Sequence, residues 1–305
     1  MKTILLFLLV CLAACTEQQP TGKSPEAGRS TPVVIASNYP LYFFAQQVAG
    51  DAVDVRFPDI VGDPATWLPS GDQAVALQAA DLIILNGAGY ESWLSFVTVP
   101  EDRLLDTTSA LAGQLLPMED ATVHQHGPEG EHSHPGTAFT TWLDPQLAIE
   151  QARAIEQALS ALAPVHAEEF KTGFAQLEAR LQELDRSLQQ IFADLQGQPV
   201  VFSHPVYQYL QNRYGINGRS MYWESDENPG TRAWIDFRNL LREHPANMMI
   251  WEDQPLKVTQ SSLEEMGVRS LVFKPVGNRP AQGDYFSVMQ GNVQRLASVL
   301  SEYAE

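Results

Sequence analysis

An apolar stripe through the middle of the chain limits the fold more than any other feature. Leu177, Leu181, Leu184, Leu188, Ile191 and Leu195 recur at spacings of four and three, which keeps them on one face of an α-helix, and Gly197 and Pro199 end the run. Pro164 suits the opening of that helix, because the N–H it lacks would have no partner in the first turn. Roughly 32 residues at 1.5 Å each make a rod on the order of 48 Å long. The heptads are few and both flanks read as globular, so the rod is expected to brace two lobes rather than to enter a coiled coil.

Each flank alternates strand and helix. Residues 33–36 (VVIA) form the short apolar run typical of a buried parallel strand, 36–50 reads as loop then helix, 53–57 as a strand, 73–80 as a helix, and 82–85 as a strand ending in Asn86-Gly87. A helix over 145–161 precedes the rod. Beyond it come a strand at 199–202, helices at 206–214 and 234–243, a strand at 248–251, a helix at 262–266, a strand at 270–273 and a closing helix at 285–303. The predicted class is α/β: two lobes, 33–162 and 198–305, each with a mostly parallel helix-covered sheet, joined by one long helix over 163–197. Ligands of open α/β sheets lie beyond the C-terminal strand ends, so the loops after Leu85, Phe202 and Trp251 are where a site is expected.

The N-terminus is an address. Lys2, an apolar run from Ile4 to Leu12 and small residues before Cys15 make a secretory signal over 1–14. Leu12-Ala13-Ala14-Cys15 resembles the bacterial lipobox, which implies cleavage before Cys15, lipidation of its thiol and a polar tether over 15–32. Thr16 in place of an aspartate favours the outer membrane in a host that has one. No later stretch approaches the roughly 20 apolar residues of a membrane-spanning helix. Nineteen Lys and Arg against 37 Asp and Glu give a net charge of −18, the wrong sign for tracking a nucleic-acid backbone. Both cysteines, Cys11 and Cys15, lie in this N-terminal segment, so a metal in the folded body must be held by nitrogen and oxygen. No nucleophile elbow, HExxH helix or P-loop is present, adjacent Ser203 and His204 do not make a Ser–His pair, and no enzymatic activity is expected.

Between 119 and 137 the periodicity stops, and an irregular mobile loop is expected there. His124, His126, His132 and His134 form two H-x-H pairs, a spacing suited to neutral imidazoles gripping a transition-metal cation. The loop reads equally as a lid that donates ligands to a cleft and as a flexible scavenging tract. His166 and His244, on helices among charged neighbours, are expected to face solvent.

Several segments, in order along nearly the whole mature chain, resemble the zinc/manganese ABC-transporter substrate-binding proteins. They are Asn38-Tyr39-Pro40-Leu41, GDPATWLPSGDQAVALQAADLIILNGAGYESWL (62–94), the histidine-rich loop before TWLDP (141–145), the long helix, FSHPVYQYLQNRYGI (202–216) and DYFSVMQGNVQRL (284–296). The resemblance implies one metal ion between two lobes and delivery to a permease and ATPase complex at the inner membrane, by a monomer lipid-anchored in the periplasm. It also implies four ligand positions, which this chain fills unevenly. Ala65 and Thr140 stand where two histidines are usual, His204 keeps the third, and Trp251-Glu252-Asp253 offers carboxylates for the fourth. His204 and Glu252 or Asp253, completed by one or more of the loop histidines, are the expected metal ligands, with zinc ahead of manganese or another divalent metal as cargo. The same arrangement brings Trp67, Trp142, Trp223 and Trp251 to the cleft beside Glu224, Asp226, Glu252 and Asp253, a set that also suits a small organic cation. A membrane-tethered metal buffer or chaperone is the remaining alternative.

Overall fold

The computed structural model describes residues 31–118, 136–195 and 197–301, with the backbone alone of 124–125 and 131–132. The first sheet is built from β1 (Val33–Ala36), β2 (Asp54–Arg56), β3 (Leu82–Leu85) and β4 (Leu104–Asp106), all parallel, in the order β2-β1-β3-β4. Every side chain of β3 is buried, as a central strand covered on both faces requires. Next, β5 (His124–Gln125) and β6 (Glu131–His132) pair antiparallel with His124 opposite His132, so the stretch expected to be irregular contains a short strand pair. His126 and His134 lie outside the described residues. The second sheet holds β7 (Val200–Phe202), β8 (Gly218–Ser220), β9 (Met248–Trp251) and β10 (Arg269–Val272), again all parallel, in the order β10-β9-β7-β8.

Eight helices among the described residues cover these sheets: α1 (Tyr39–Ala49), α2 (Gly71–Ala79), α3 (Pro145–Leu162), α4 (Ala167–Ala193), α5 (Gln208–Tyr214), α6 (Thr231–Glu243), α7 (Lys257–Glu265) and α8 (Tyr285–Ser301). None is long and apolar enough to cross a membrane. The rod is α4, shorter than the sequence suggests: Pro164–His166 forms a separate 3-10 turn, leaving 27 residues, about 40 Å at the usual rise. Its stripe, extended by Phe170, Phe174 and Phe192, is buried against α1, α3 and α8. The crossing with α1 is close because residue 173 is glycine; a Cβ there would stand 2.6 Å from the carbonyl oxygens of Gln47 and Val48. One apolar core runs from Val34 and Ile84 of the first sheet through α4 to Phe202, Ile250 and Phe273 of the second.

Polar ties complement this core. Asp144 caps α3 by accepting from the Gln146 N–H, with Pro145 as the first helical residue. Buried Asp185 on α4 accepts from Arg213 Nε at 3.0 Å, Tyr214 Oη at 2.9 Å and Gln146 Nε2 at 2.9 Å, joining α4 to α3 and α5. Burial opposes ionisation of Asp185, but these donors outweigh it and hold the carboxyl below its ordinary range. His244 departs from expectation. It ends α6, and its ring turns inward, with Nε2 3.0 Å from the Val200 carbonyl oxygen, so it is buried.

Candidate metal-binding site

Parallel strands all present their C-terminal ends at one edge, so the loops that follow them gather there. Hydrogen bonds tie the loops of the first half to the second. Asn278 Nδ2 donates to the carbonyls of Ile60 (2.9 Å) and Gly62 (2.7 Å), and Trp142 Nε1 donates to Pro275 O at 2.7 Å. Tyr39 N donates to Gly277 O at 3.1 Å, Tyr285 Oη to Trp142 O at 3.0 Å, and Thr140 Oγ1 to Val206 O at 2.6 Å.

On the first-half side, the chain leaves β3 through Asn86-Gly87-Ala88-Gly89, with positive φ at residues 87, 88 and 89. Gly87 is required twice over: besides its φ of 79°, a Cβ would meet Asp106 Oδ1 at 2.0 Å. This tight loop returns Glu91 to the strand end. Glu91 Oε1 accepts from Ser37 Oγ and Asn86 N, each at 2.6 Å, and Oε2 accepts from Gly87 N at 3.1 Å. Asn86 in turn donates to Phe139 O and joins Thr141, Gln151 and Thr107 in a buried polar network. Burial pushes the Glu91 carboxyl up to about 7, against the pull of these donors. Tyr90, beside it, is buried, and its hydroxyl has no hydrogen-bond partner among the described residues.

The loop after β2 brings Asp63 to the same edge, where it caps a 3-10 turn by accepting from Ala65 N at 2.9 Å. Ala65 is buried, and its carbonyl accepts from Ser92 Oγ. Thr140 is buried too, its hydroxyl spent on Val206 O. Neither position offers a nitrogen ligand.

The second half contributes His204 after β7, Glu224 after β8 and Glu252 after β9. The His204 side chain keeps 17% exposure, its Nδ1 lies 3.7 Å from Glu224 Oε1, and the Tyr222 ring meets it edge-on at 5.7 Å. Glu252 carries the strongest signal: burial raises its carboxyl to about 8, and the charges of Glu224 and Asp63 add to the effect. The charges of Glu224 and Asp63, from two other loops, thus act on buried Glu252, and Glu224 lies beside the His204 imidazole. Asp253 points elsewhere. Its carboxylate is held by the Lys274 ammonium at 3.0 Å, which outweighs burial and keeps it below the ordinary range. Among the described residues, no three His, Cys, Asp or Glu side chains are yet gathered closely enough to enclose a metal.

The expected site residues therefore divide. Glu224 lies beside His204, and its charge acts on Glu252. Asp226 is exposed. The tryptophans are packed in cores: Trp67 against Trp93, Trp142 beside Tyr90 in the central core, and Trp223 and Trp251 against each other and Phe237. Their faces are covered by apolar neighbours, which corrects the expectation of an aromatic cage for an organic cation. Asp63, Tyr90 and Tyr222 were not singled out from the sequence, and only the position of Asp63 within GDPAT gave any signal.

Known proteins share this architecture. The zinc-bound ZnuA-like domain of Streptococcus pneumoniae AdcA superposes with a TM-score of 0.71 at 21% identity, covering 88% of this chain and 98% of that domain. The metal-dependent lipoprotein YcdH of Bacillus subtilis gives 0.73 at 19% identity, over 89% of this chain and 99% of that one. At these identities the likeness is one of fold. In sequence, the zinc-binding lipoprotein AdcA of S. pneumoniae is 26% identical over 97% of this chain, which spans 60% of the length of that relative. The high-affinity zinc uptake system protein ZnuA of B. subtilis is 25% identical over 96% of this chain and 94% of its own length. The family model for the periplasmic component A of zinc-uptake complexes matches residues 34–299, and the chain belongs to that family of transport components rather than to any class of enzyme.

Proposed function

We propose that this protein is the substrate-binding lipoprotein of an ABC uptake transporter for a divalent transition metal, zinc first. The observation that supports the reading is the approach of Glu224 to His204 at 3.7 Å together with the action of the Glu224 and Asp63 charges on buried Glu252, all in loops that follow parallel strands. Like charges forced together in a partly buried place are relieved by a cation, and a dication bound there would do so most fully. One imidazole and up to three carboxylates form a nitrogen–oxygen donor set that zinc accepts and manganese also tolerates. Loading would draw these groups together, since among the described residues no three of them are gathered closely enough to enclose an ion. The loop histidines His124, His126, His132 and His134 would then feed the site or complete it.

The relatives support an extracytoplasmic, membrane-anchored place for such a protein and do not extend to the outer membrane suggested by Thr16. Lipidation at Cys15 supplies the anchor, and a permease with its ATPase would take the ion from the loaded monomer. Calorimetric titration of the mature protein with zinc, beside His204→Ala and a variant lacking residues 124–134, tests the reading. One tight site lost in His204→Ala supports it. Weak, multiple binding that disappears only with the loop would leave a metal buffer instead.

A further inference from the structure

The backbone around His204 is held from two directions. Upstream its own sheet fixes the chain: Ser203 N donates to Ile250 O, and Ser203 O accepts from Trp223 N, each at 2.8 Å. Downstream the turn closes as Val206 N donates to His204 O at 3.0 Å, and the Val206 carbonyl accepts from Thr140 Oγ1 at 2.6 Å. That last donor comes from the first half, just before α3. Thr140 is 5% exposed, and the residues on either side of it are themselves anchored: Phe139 O accepts from Asn86 Nδ2 at 2.9 Å, and Thr141 Oγ1 donates to Gln151 Oε1 at 3.1 Å. A buried hydroxyl on so fixed a backbone has little freedom to turn away. A second tie joins the same two segments at α5, beyond the turn, where Tyr209 Oη donates to Ala138 O at 2.7 Å.

We propose that Thr140 is a positioning residue for His204: by donating its hydroxyl to the Val206 carbonyl, it fixes from the first half the turn that presents the imidazole to a divalent cation. This rests on the metal reading above and deepens it, giving residue 140, which offers no nitrogen ligand, a part in the site. The hydroxyl proton is committed to Val206 O, and a neutral threonine oxygen is a poorer partner for zinc than imidazole or carboxylate. Thr140 therefore acts through the backbone and not on the ion. Groups outside the ligand shell that hold a ligand in its orientation contribute to metal affinity without touching the metal. Because the bond spans the two halves before any ion arrives, less ordering of the His204 turn is left for loading to achieve.

The test compares the wild-type mature protein with three variants. Thr140→Val keeps the shape and removes the hydroxyl, Thr140→Ser keeps the hydroxyl, and Tyr209→Phe breaks the neighbouring tie between the halves. Each is titrated with Zn²⁺ by calorimetry, loaded with Co²⁺ for visible absorption, and melted without metal. Thr140→Val should weaken zinc binding about fivefold or more and alter the cobalt bands, because the imidazole meets the ion at a changed angle; Thr140→Ser should stay within about twofold of wild type. Tyr209→Phe should lower the melting temperature, yet bind zinc within about twofold of wild type and leave the cobalt bands in place. Wild-type affinity and bands in Thr140→Val would overturn the proposal. So would equal weakening in Thr140→Val and Tyr209→Phe, which would reveal a general loosening of the halves. If His204→Ala binds zinc as the wild type does, the metal reading fails first and this inference with it.

Discussion

Glu252 should make metal loading release a proton. Its carboxyl sits at about 8 in the metal-free protein because burial and the charges of Glu224 and Asp63 disfavour its ionised form. At pH 7 such a group is protonated in about nine molecules of ten, and a dication that ligates it must displace roughly 0.9 proton. The sign follows directly: acid favours the protonated, unloaded form, so affinity rises with pH and levels off above 8. Between pH 6 and pH 8 this one group should raise the apparent affinity about fiftyfold. The assay is isothermal calorimetry with zinc at pH 7 in two buffers of different protonation enthalpy, repeated with Glu252→Gln. The variant should bind more weakly, release about 0.9 fewer protons and lose about fiftyfold of the pH dependence, whatever other groups contribute to both proteins. Equal proton release by the two proteins would refute the assignment of Glu252 as a ligand.

Glu91 has a separate consequence for the fold. Its carboxyl lies near 7 rather than at the ordinary 4.5, so its contribution to stability is complete below 4.5 and is lost as pH rises through 7. That loss is about 3 kcal/mol, visible as weaker resistance of the metal-free protein to urea at pH 8 than at pH 5; a Glu91→Gln protein with the same decline would contradict it. Gly173→Ala places a methyl group against two carbonyl oxygens where α1 crosses α4, and thermal melting should report a loss of about 1–3 kcal/mol. Asp185→Asn leaves Arg213 facing a neutral amide where it had a carboxylate, and denaturant unfolding should show a loss of about 3 kcal/mol, with a wild-type midpoint as the refuting result.

What the sequence reveals follows from how local each cause is. β1, β3 and β9 are unbroken apolar runs of four, and their bounds match the structure. β4 (Leu-Leu-Asp) and β8 (Gly-Arg-Ser) carry too little apolar signal to be seen, and only pairing with β3 and β7 makes them strands. At β8 the partner also dictates the residue, since a Cβ on Gly218 would come within 2.4 Å of the Phe202 ring. His204 and Glu252 stand where the sequence places them, each just after the end of a buried strand. Trp251 was misplaced for a reason of parity: alternation along β9 sends Met249 and Trp251 to one core and Met248 and Ile250 to the other. Asp63 and Tyr90 were not legible, because their positions depend on two loops, one capped at Asp63 and the other turned by the positive φ angles of residues 87 to 89.

The central claim is that a metal ion enters between the two sets of strand ends. Anomalous diffraction at the zinc absorption edge, from crystals of the mature protein loaded with one equivalent of zinc, tests it most directly. The account predicts a single strong peak with a His204 ring nitrogen and a Glu252 oxygen at about 2.0–2.2 Å. A zinc peak confined to the histidine-rich stretch between residues 119 and 135, with none beside Glu252, would contradict it.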